Sequence, residues 1–395
     1  MKRLILYTGK GGTGKSVISC ATGIKTSELG YNTLVISADP AHTLSDAFGK
    51  KIGNDLEKVM ERLWVLQIDP IVEMRKNFSL IQEYIVSVLA SRGIDETLAY
   101  EIASLPTMTH LFALLKVEEF FSKDVFDVIL MDTVPSGEAL RYLQFPKILG
   151  SVSRKLAKFL TPFTELGKFL QPLIGLPTPS KEVIKSEVQL ISRLESLAEI
   201  LKNSDISSLR LIANPDSFSI ENIRRTLLGA NLYGINVDLS IINKIIPDKV
   251  KDDFFQRWKE LQREALEKAK LSLYPLPIKF LELFDVEVKG LDMLKKVAEE
   301  LFKEEDPTKV YFKGSPFSLE YKGNSLIFRV KVPFTEKDEC EVERIGEDLM
   351  IKVKKDIGEL INFIPLPSVA NYMSLKRAKL LKGELEITFV KENGG

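Results

Sequence analysis

Eight residues near the start of the chain, Gly9-Lys10-Gly11-Gly12-Thr13-Gly14-Lys15-Ser16, constrain its fold more than any other stretch. Gly-x4-Gly-Lys-Ser is the spacing of a phosphate-binding loop. The glycines let the backbone curl so that successive N–H groups point inward at phosphate oxygens. Lys15 then reaches the β- and γ-phosphates, and the Ser16 hydroxyl is placed to bind Mg²⁺. Such a loop needs a strand before it and a helix after it. Leu4-Ile5-Leu6-Tyr7 is a short apolar run of the buried parallel-strand type, and Val17 to Leu29 reads as a helix closed by Gly30. Phosphates bound there would sit on a helix N-terminus, where free N–H groups and the helix dipole favour anions.

Further along, short apolar runs alternate with longer amphipathic stretches as far as about residue 300. The runs are Leu34–Ser37, Leu63–Leu66, Val128–Met131, Leu209–Ile212 and Leu239–Ile242. This alternation predicts an α/β fold with a mainly parallel sheet and helices on both faces. Two inserted regions read as helical, one over about 70–122, with Phe78, Ile81, Ile85 and Val88 at helical spacing, and one over about 147–203. After Asp306-Pro307 the pattern changes. Leu326, Phe328, Val330 and Val332 alternate with polar residues, as do Leu349, Ile351, Val353 and Leu385, Ile387, Phe389. With turns at Gly323-Asn324, Gly346-Glu347 and Lys382-Gly383, this predicts a separate C-terminal all-β sandwich. The expected domains are 1–305 and 308–393, joined by the charged segment Lys303-Glu304-Glu305-Asp306.

At 395 residues the chain is long for one domain, which agrees with that division. Lys plus Arg and Asp plus Glu stand at 55 each, so no net field invites nucleic acid or an anionic membrane surface. No apolar run approaches the roughly 18 residues of a spanning helix. Met1-Lys2-Arg3 leads directly into the first strand, which predicts no cleavable leader. Cys20 and Cys340 are the only cysteines. Their number and separation fit a reducing cytoplasmic setting and leave no thiolate cluster for zinc or arsenic in a single chain.

Two aspartates close strands that should end beside the loop. Asp39 follows Leu34–Ser37 and opens Asp39-Pro40-Ala41-His42-Thr43-Leu44-Ser45-Asp46-Ala47-Phe48. The carboxyl ends of strands line the ligand crevice of an open α/β sheet, so a carboxylate there can orient an attacking water or accept its proton. A helix-capping aspartate before proline is the structural alternative. Asp132 ends Val128–Met131, the Walker B arrangement that positions Mg²⁺ or its water shell. The loop after it, with Pro135 and Gly137, suits a segment that changes conformation with the nucleotide. Lys10 is not required by the ordinary loop. Such a lysine is either a solvated surface group or one that reaches across a dimer interface to a partner's γ-phosphate, as an arginine finger does.

Together these motifs resemble the ArsA-type ATPases, the family of the arsenical pump-driving ATPase and of the targeting factor for tail-anchored membrane proteins. Lys10–Ser16 looks like its deviant Walker A loop, Asp39–Phe48 its switch I and Asp132–Arg141 its switch II. The resemblance covers roughly residues 1–300. It implies an ATP- and Mg²⁺-dependent, nucleotide-sandwich homodimer in which Gly11, Gly12, Thr13, Gly14, Lys15, Ser16 and Val17 hold the nucleotide. It implies further that Lys10 contacts the other subunit's ATP and that Asp39 orients the hydrolytic water. Ser16 and Asp132 would serve the metal, Asp132 through water. Asn243 matches the asparagine that reads adenine, with a strand-end turn residue as the alternative, and Phe284–Gly290 looks like the adenine-flanking loop. The chain departs from the family in three respects: it has a single phosphate loop, lacks the arsenite-binding cysteine triad and the zinc-binding Cys-x-x-Cys, and carries Glu138 where relatives often have histidine.

The C-terminal segment resembles the α-crystallin (small heat-shock) fold that some members carry. Residues 153–176, with Leu156, Phe159, Leu160 and Phe163 at helix-like spacing, are a candidate surface for hydrophobic client segments, or else core or dimer packing. Membrane contact is expected only through a client or receptor. The main expectation is an ATPase that opens and closes on hydrophobic or membrane-protein clients. The alternatives are a holdase chaperone timed by slow hydrolysis and the driving subunit of an oxyanion pump.

Overall fold

The computed structural model describes residues 2–39, 43–91, 93–103, 106–132, 180–314, 317–346, 348–355 and 358–391. Arg3–Thr8 (β1), Thr33–Ser37 (β2), Glu57–Met60 (β3), Leu63–Gln67 (β4), Val128–Asp132 (β5), Ser207–Ala213 (β6), Val237–Ile245 (β7) and Ile278–Glu282 (β8) form one sheet. Its order is β3-β4-β2-β5-β1-β6-β7-β8, and every neighbouring pair is parallel except β3 with β4. The strands predicted from apolar runs are all present. They are continuous runs because both faces of the sheet are covered. On one face Leu4, Leu6, Leu34 and Ile36 pack with Leu114 and Val117 of Pro106–Ser122 (α5) and with Leu194 and Leu197 of Lys181–Lys202 (α6). On the other, Ile5, Tyr7 and Val35 meet Ile18 and Ile24 of Lys15–Glu28 (α1) and Leu294 and Leu301 of Leu291–Phe302 (α9).

The remaining helices are Thr43–Phe48 (α2), Pro70–Ser91 (α3), Glu96–Ala103 (α4), Ser217–Tyr233 (α7) and Asp253–Leu273 (α8). The first helical insertion is thus α3, α4 and α5. Of the second, residues 181–202 form α6, whereas the apolar stripe at 153–176 lies outside the described residues. So does the switch II loop beyond Asp132. Among the described residues no helix is long and apolar enough to cross a membrane.

Strand β1 hydrogen-bonds to β5 on one side and to β6 on the other, so chain order reverses across it. Ligands of open α/β sheets bind at such a reversal, beyond the carboxyl ends of the strands. Register places Tyr7 beside Asp132 and Asp132 beside Ser37. The phosphate loop, Asp39 and Asp132 therefore leave three adjacent strands at the same edge.

The C-terminal strands are Phe317–Lys322 (β9), Ser325–Lys331 (β10), Cys340–Ile345 (β11), Asp348–Lys355 (β12), Gly358–Pro365 (β13), Met373–Leu381 (β14) and Glu384–Lys391 (β15). They form antiparallel sheets ordered β14-β15-β10-β9 and β11-β12-β13. Each alternating apolar set is the buried face: Leu326, Phe328 and Val330 meet Leu349, Ile351, Val353, Leu385, Ile387 and Phe389 in one core. Leu228 and Leu232 of α7 enter that core, and the Asn362 side chain donates to the Leu232 carbonyl. Helix α7 is therefore shared packing for sheet and sandwich.

The connection between them is held by charge. Arg3 Nε donates to the Thr308 carbonyl at 2.8 Å and Arg210 Nη2 to the Pro307 carbonyl at 2.7 Å. Asp238 is the counter-charge, 3.2 Å from Arg210 Nε, and all three side chains are fully buried. Buried carbonyls of an irregular segment must find donors, and here guanidinium groups supply them.

Candidate active site

Glycine is required in the phosphate loop for two reasons. Gly12 and Gly14 have φ of 80° and 91°, the left-handed region that side chains disfavour. A Cβ would also lie 2.0 Å from the Ile212 carbonyl oxygen at Gly9 and 2.4 Å from Asn243 Nδ2 at Gly14. The loop is braced internally by the Thr13 hydroxyl, which donates to the Lys10 carbonyl at 2.8 Å. Gly14 caps α1 without a side-chain bond, which leaves the first-turn N–H groups for an anion. Lys15 is buried, with Nζ 3.4 Å from the Lys10 carbonyl.

Asp132 is fully buried at the end of β5. Its Oδ2 accepts from the Ser16 hydroxyl and from Thr43 Oγ1 at 3.4 Å, and its Oδ1 has no hydrogen-bond partner among the described residues. Burial pushes the carboxyl up to about 6; Asp39 adds to this, while Ser16, Lys15 and Thr43 oppose it. A buried oxygen without a partner beside a serine hydroxyl is the hard-oxygen environment that Mg²⁺ and its waters use. The donors present thus fit that ion.

Asp39 is half-buried one residue beyond Ala38. Gln67 at the end of β4 donates to its carbonyl at 2.8 Å, and its N–H donates to Ser37 Oγ at 3.2 Å. Both bonds fix the backbone and direct the segment over the sheet edge.

A cleft of about 540 Å³ opens here, lined by Gly12, Lys15, Ser16, Asp39, Asn243 and Phe284. Gly11, Gly14 and Val17 also line it. Its far wall is apolar, with Phe284, Val288 and Val17 packed around Leu281 and Val297. A charged end and an apolar end suit a phosphorylated aromatic ligand. Asn243 lies in β7, which runs three residues past the predicted Ile242. Its Nδ2 donates to the Thr13 carbonyl at 2.9 Å, and its Oδ1 accepts from Lys244 N–H. Both ends of the amide are engaged with protein.

Lys10 is not brought to this cleft. It is exposed, with Nζ 5.4 Å from the centre of the Phe218 ring at the start of α7. Sequence reasoning missed Phe218, Gln67 and Lys244. None has a motif of its own, and each is delivered by the fold.

Comparison with known proteins follows the same division. A family model described as "Anion-transporting ATPase" matches residues 2–303, and one described as "HSP20-like domain found in ArsA" matches residues 323–389. A protein of Aquifex aeolicus, provisionally named an arsenical pump-driving ATPase 1, is 31% identical over 401 residues, 98% of this chain and 99% of its own length. A similarly named protein of Prosthecochloris vibrioformis is 31% identical over 92% of this chain and 90% of its own length. The ATPase GET3 of Kluyveromyces lactis is 30% identical over 77% of this chain and 91% of its own length.

Proposed function

The chain belongs to the ArsA family of anion-transporting ATPases, and on that premise we propose that its cleft binds and hydrolyses ATP within a homodimer whose opening and closing is coupled to a hydrophobic client. The observation that carries the reading is the meeting of Lys15, Ser16 and Asp39 around one cleft, with an incompletely bonded Asp132 held to Ser16 behind its lining. In this reading the loop N–H groups and Lys15 hold the β- and γ-phosphates, and Asp39 orients water against the γ-phosphorus and takes its proton. Ser16 and Asp132 would hold Mg²⁺, which when bound neutralises charge on the β- and γ-oxygens. The base lies against Phe284, and Asn243 reads it by exchanging its bond to Thr13 for the adenine edge. Lys10 of a second protomer completes the charge around the transferring phosphoryl group.

The domain division 1–305 and 308–393 assigns hydrolysis to the first part. The second is an α-crystallin-like accessory packed on α7, and its match to an HSP20-like model supports a reading in which it retains clients while hydrolysis acts as a timer. The client proposed is a hydrophobic segment of a membrane protein, in keeping with the targeting branch of the family. A metalloid pump subunit is less well supported: the two cysteines stand in different domains, Cys20 buried in α1 and Cys340 in β11. Lys15→Ala is the test. Calorimetric titration with ADP should show no binding to this variant, and wild-type affinity would refute the site.

A further inference from the structure

Lys244 carries a part of the site that no motif assigns. It follows Asn243 where the pairing of β7 with β8 is interrupted between Ile242 and Ile245. Its φ is 61°, a left-handed backbone that is uncommon for lysine. From that position its exposed side chain turns back to the phosphate loop, and Nζ donates to the Gly12 carbonyl at 2.7 Å. The neighbouring Asn243 Nδ2 donates to the next carbonyl, that of Thr13, at 2.9 Å. Two successive loop carbonyls are thus anchored by two successive residues of one strand end.

We propose that Lys244 is a positioning residue for nucleotide phosphates, acting through the Gly12–Thr13 peptide; this rests on the reading of the cleft as a nucleotide site. A trans peptide presents its N–H opposite to its carbonyl. Holding the Gly12 and Thr13 carbonyls from the β7 side therefore turns the Thr13 and Gly14 N–H groups the other way. The Thr13 N–H meets the Lys10 carbonyl only at 3.4 Å, so it is weakly held. An ammonium on the carbonyl also polarises the peptide and strengthens its N–H as a donor. The arrangement has a further consequence when Asn243 leaves Thr13 to read a base. Lys244 then remains as the brace on this side of the loop, so the loop need not slacken as the base is bound.

Three variants test this by ADP titration calorimetry. Lys244→Met removes the charge and keeps most of the stem, Lys244→Gly removes the side chain and relieves the backbone, and Lys244→Arg keeps a cation. Met and Gly should each weaken ADP about tenfold, and Arg should recover affinity to within about threefold. The thermal midpoint of the nucleotide-free Met and Arg variants should not move, and that of the Gly variant should not fall. Wild-type affinity in either the Met or the Gly variant overturns the proposal, as does a midpoint that falls in step with affinity. Failure of the underlying reading looks different: wild-type protein would not bind ADP, or Lys15→Ala would bind it normally.

Discussion

The Lys10 ammonium lies 5.4 Å from the centre of the exposed Phe218 ring and is absent from the cleft that its own loop forms. A cation over an exposed ring is held by only about 0.5–1 kcal/mol, so this resting place is easily left. The proposed role of Lys10 begins when a second protomer approaches. Lys10→Ala should leave ADP affinity within about twofold of wild type and lower ATP turnover by about a hundredfold or more. Phosphate-release kinetics beside ADP titration checks both halves.

Asp39 has its backbone fixed by Gln67 and Ser37. The residue lines the cleft with Lys15 and Ser16. A group that orients and deprotonates water contributes to the chemical step more than to binding. Asp39→Asn should therefore reduce kcat by about 10²–10³-fold and change the KM for ATP by less than about threefold. Steady-state kinetics separates the two, and an effect on KM alone would contradict the role.

Asp132 makes stability depend on pH with a definite sign. Its folded pKa of about 6 exceeds the ordinary 3.8, so the folded state binds this proton more tightly than the unfolded state does. The ionised carboxylate therefore costs stability above about pH 6, and the cost fades as pH falls toward 4. In metal-free, nucleotide-free protein, Asp132→Asn should gain about 2–3 kcal/mol at about pH 8 and only about 1 kcal/mol near pH 4.5. Urea unfolding at the two pH values measures it. An Asn variant less stable at pH 8 would contradict this account of the buried carboxyl.

Arg210 links the sheet to the segment that leads into the sandwich, bonding Asp238 and the Pro307 carbonyl out of contact with water. Removing one partner of a buried pair strands the other. Arg210→Met should cost about 3–5 kcal/mol in urea unfolding, far more than loss of an exposed pair such as Lys313 with Asp205.

Much of this architecture is legible in the sequence wherever burial imposes a pattern. Strands covered on both faces, such as Leu4–Tyr7 and Val128–Met131, are unbroken apolar runs, and the sandwich strands alternate because one face is wet. The strands β3 and β8, at the two edges of the sheet, are only partly buried and carry no such run, so they are not visible beforehand. In the candidate site, the loop and Asp132 are legible because the proposed phosphate and Mg²⁺ chemistry would need those residue types at those places. Lys244 meets Gly12 across 232 positions through an interruption in strand pairing, and no local pattern encodes that meeting.

The central claim is that each active site is incomplete until a second protomer supplies Lys10, and mixing two inactive variants tests it most directly. Asp39 belongs to the cleft of its own chain, so a mixed dimer of Lys10→Ala and Asp39→Asn protomers contains one site with both groups intact. Random exchange at equal amounts should restore about a quarter of wild-type ATP turnover. A mixture that stays as inactive as its two components would contradict the claim.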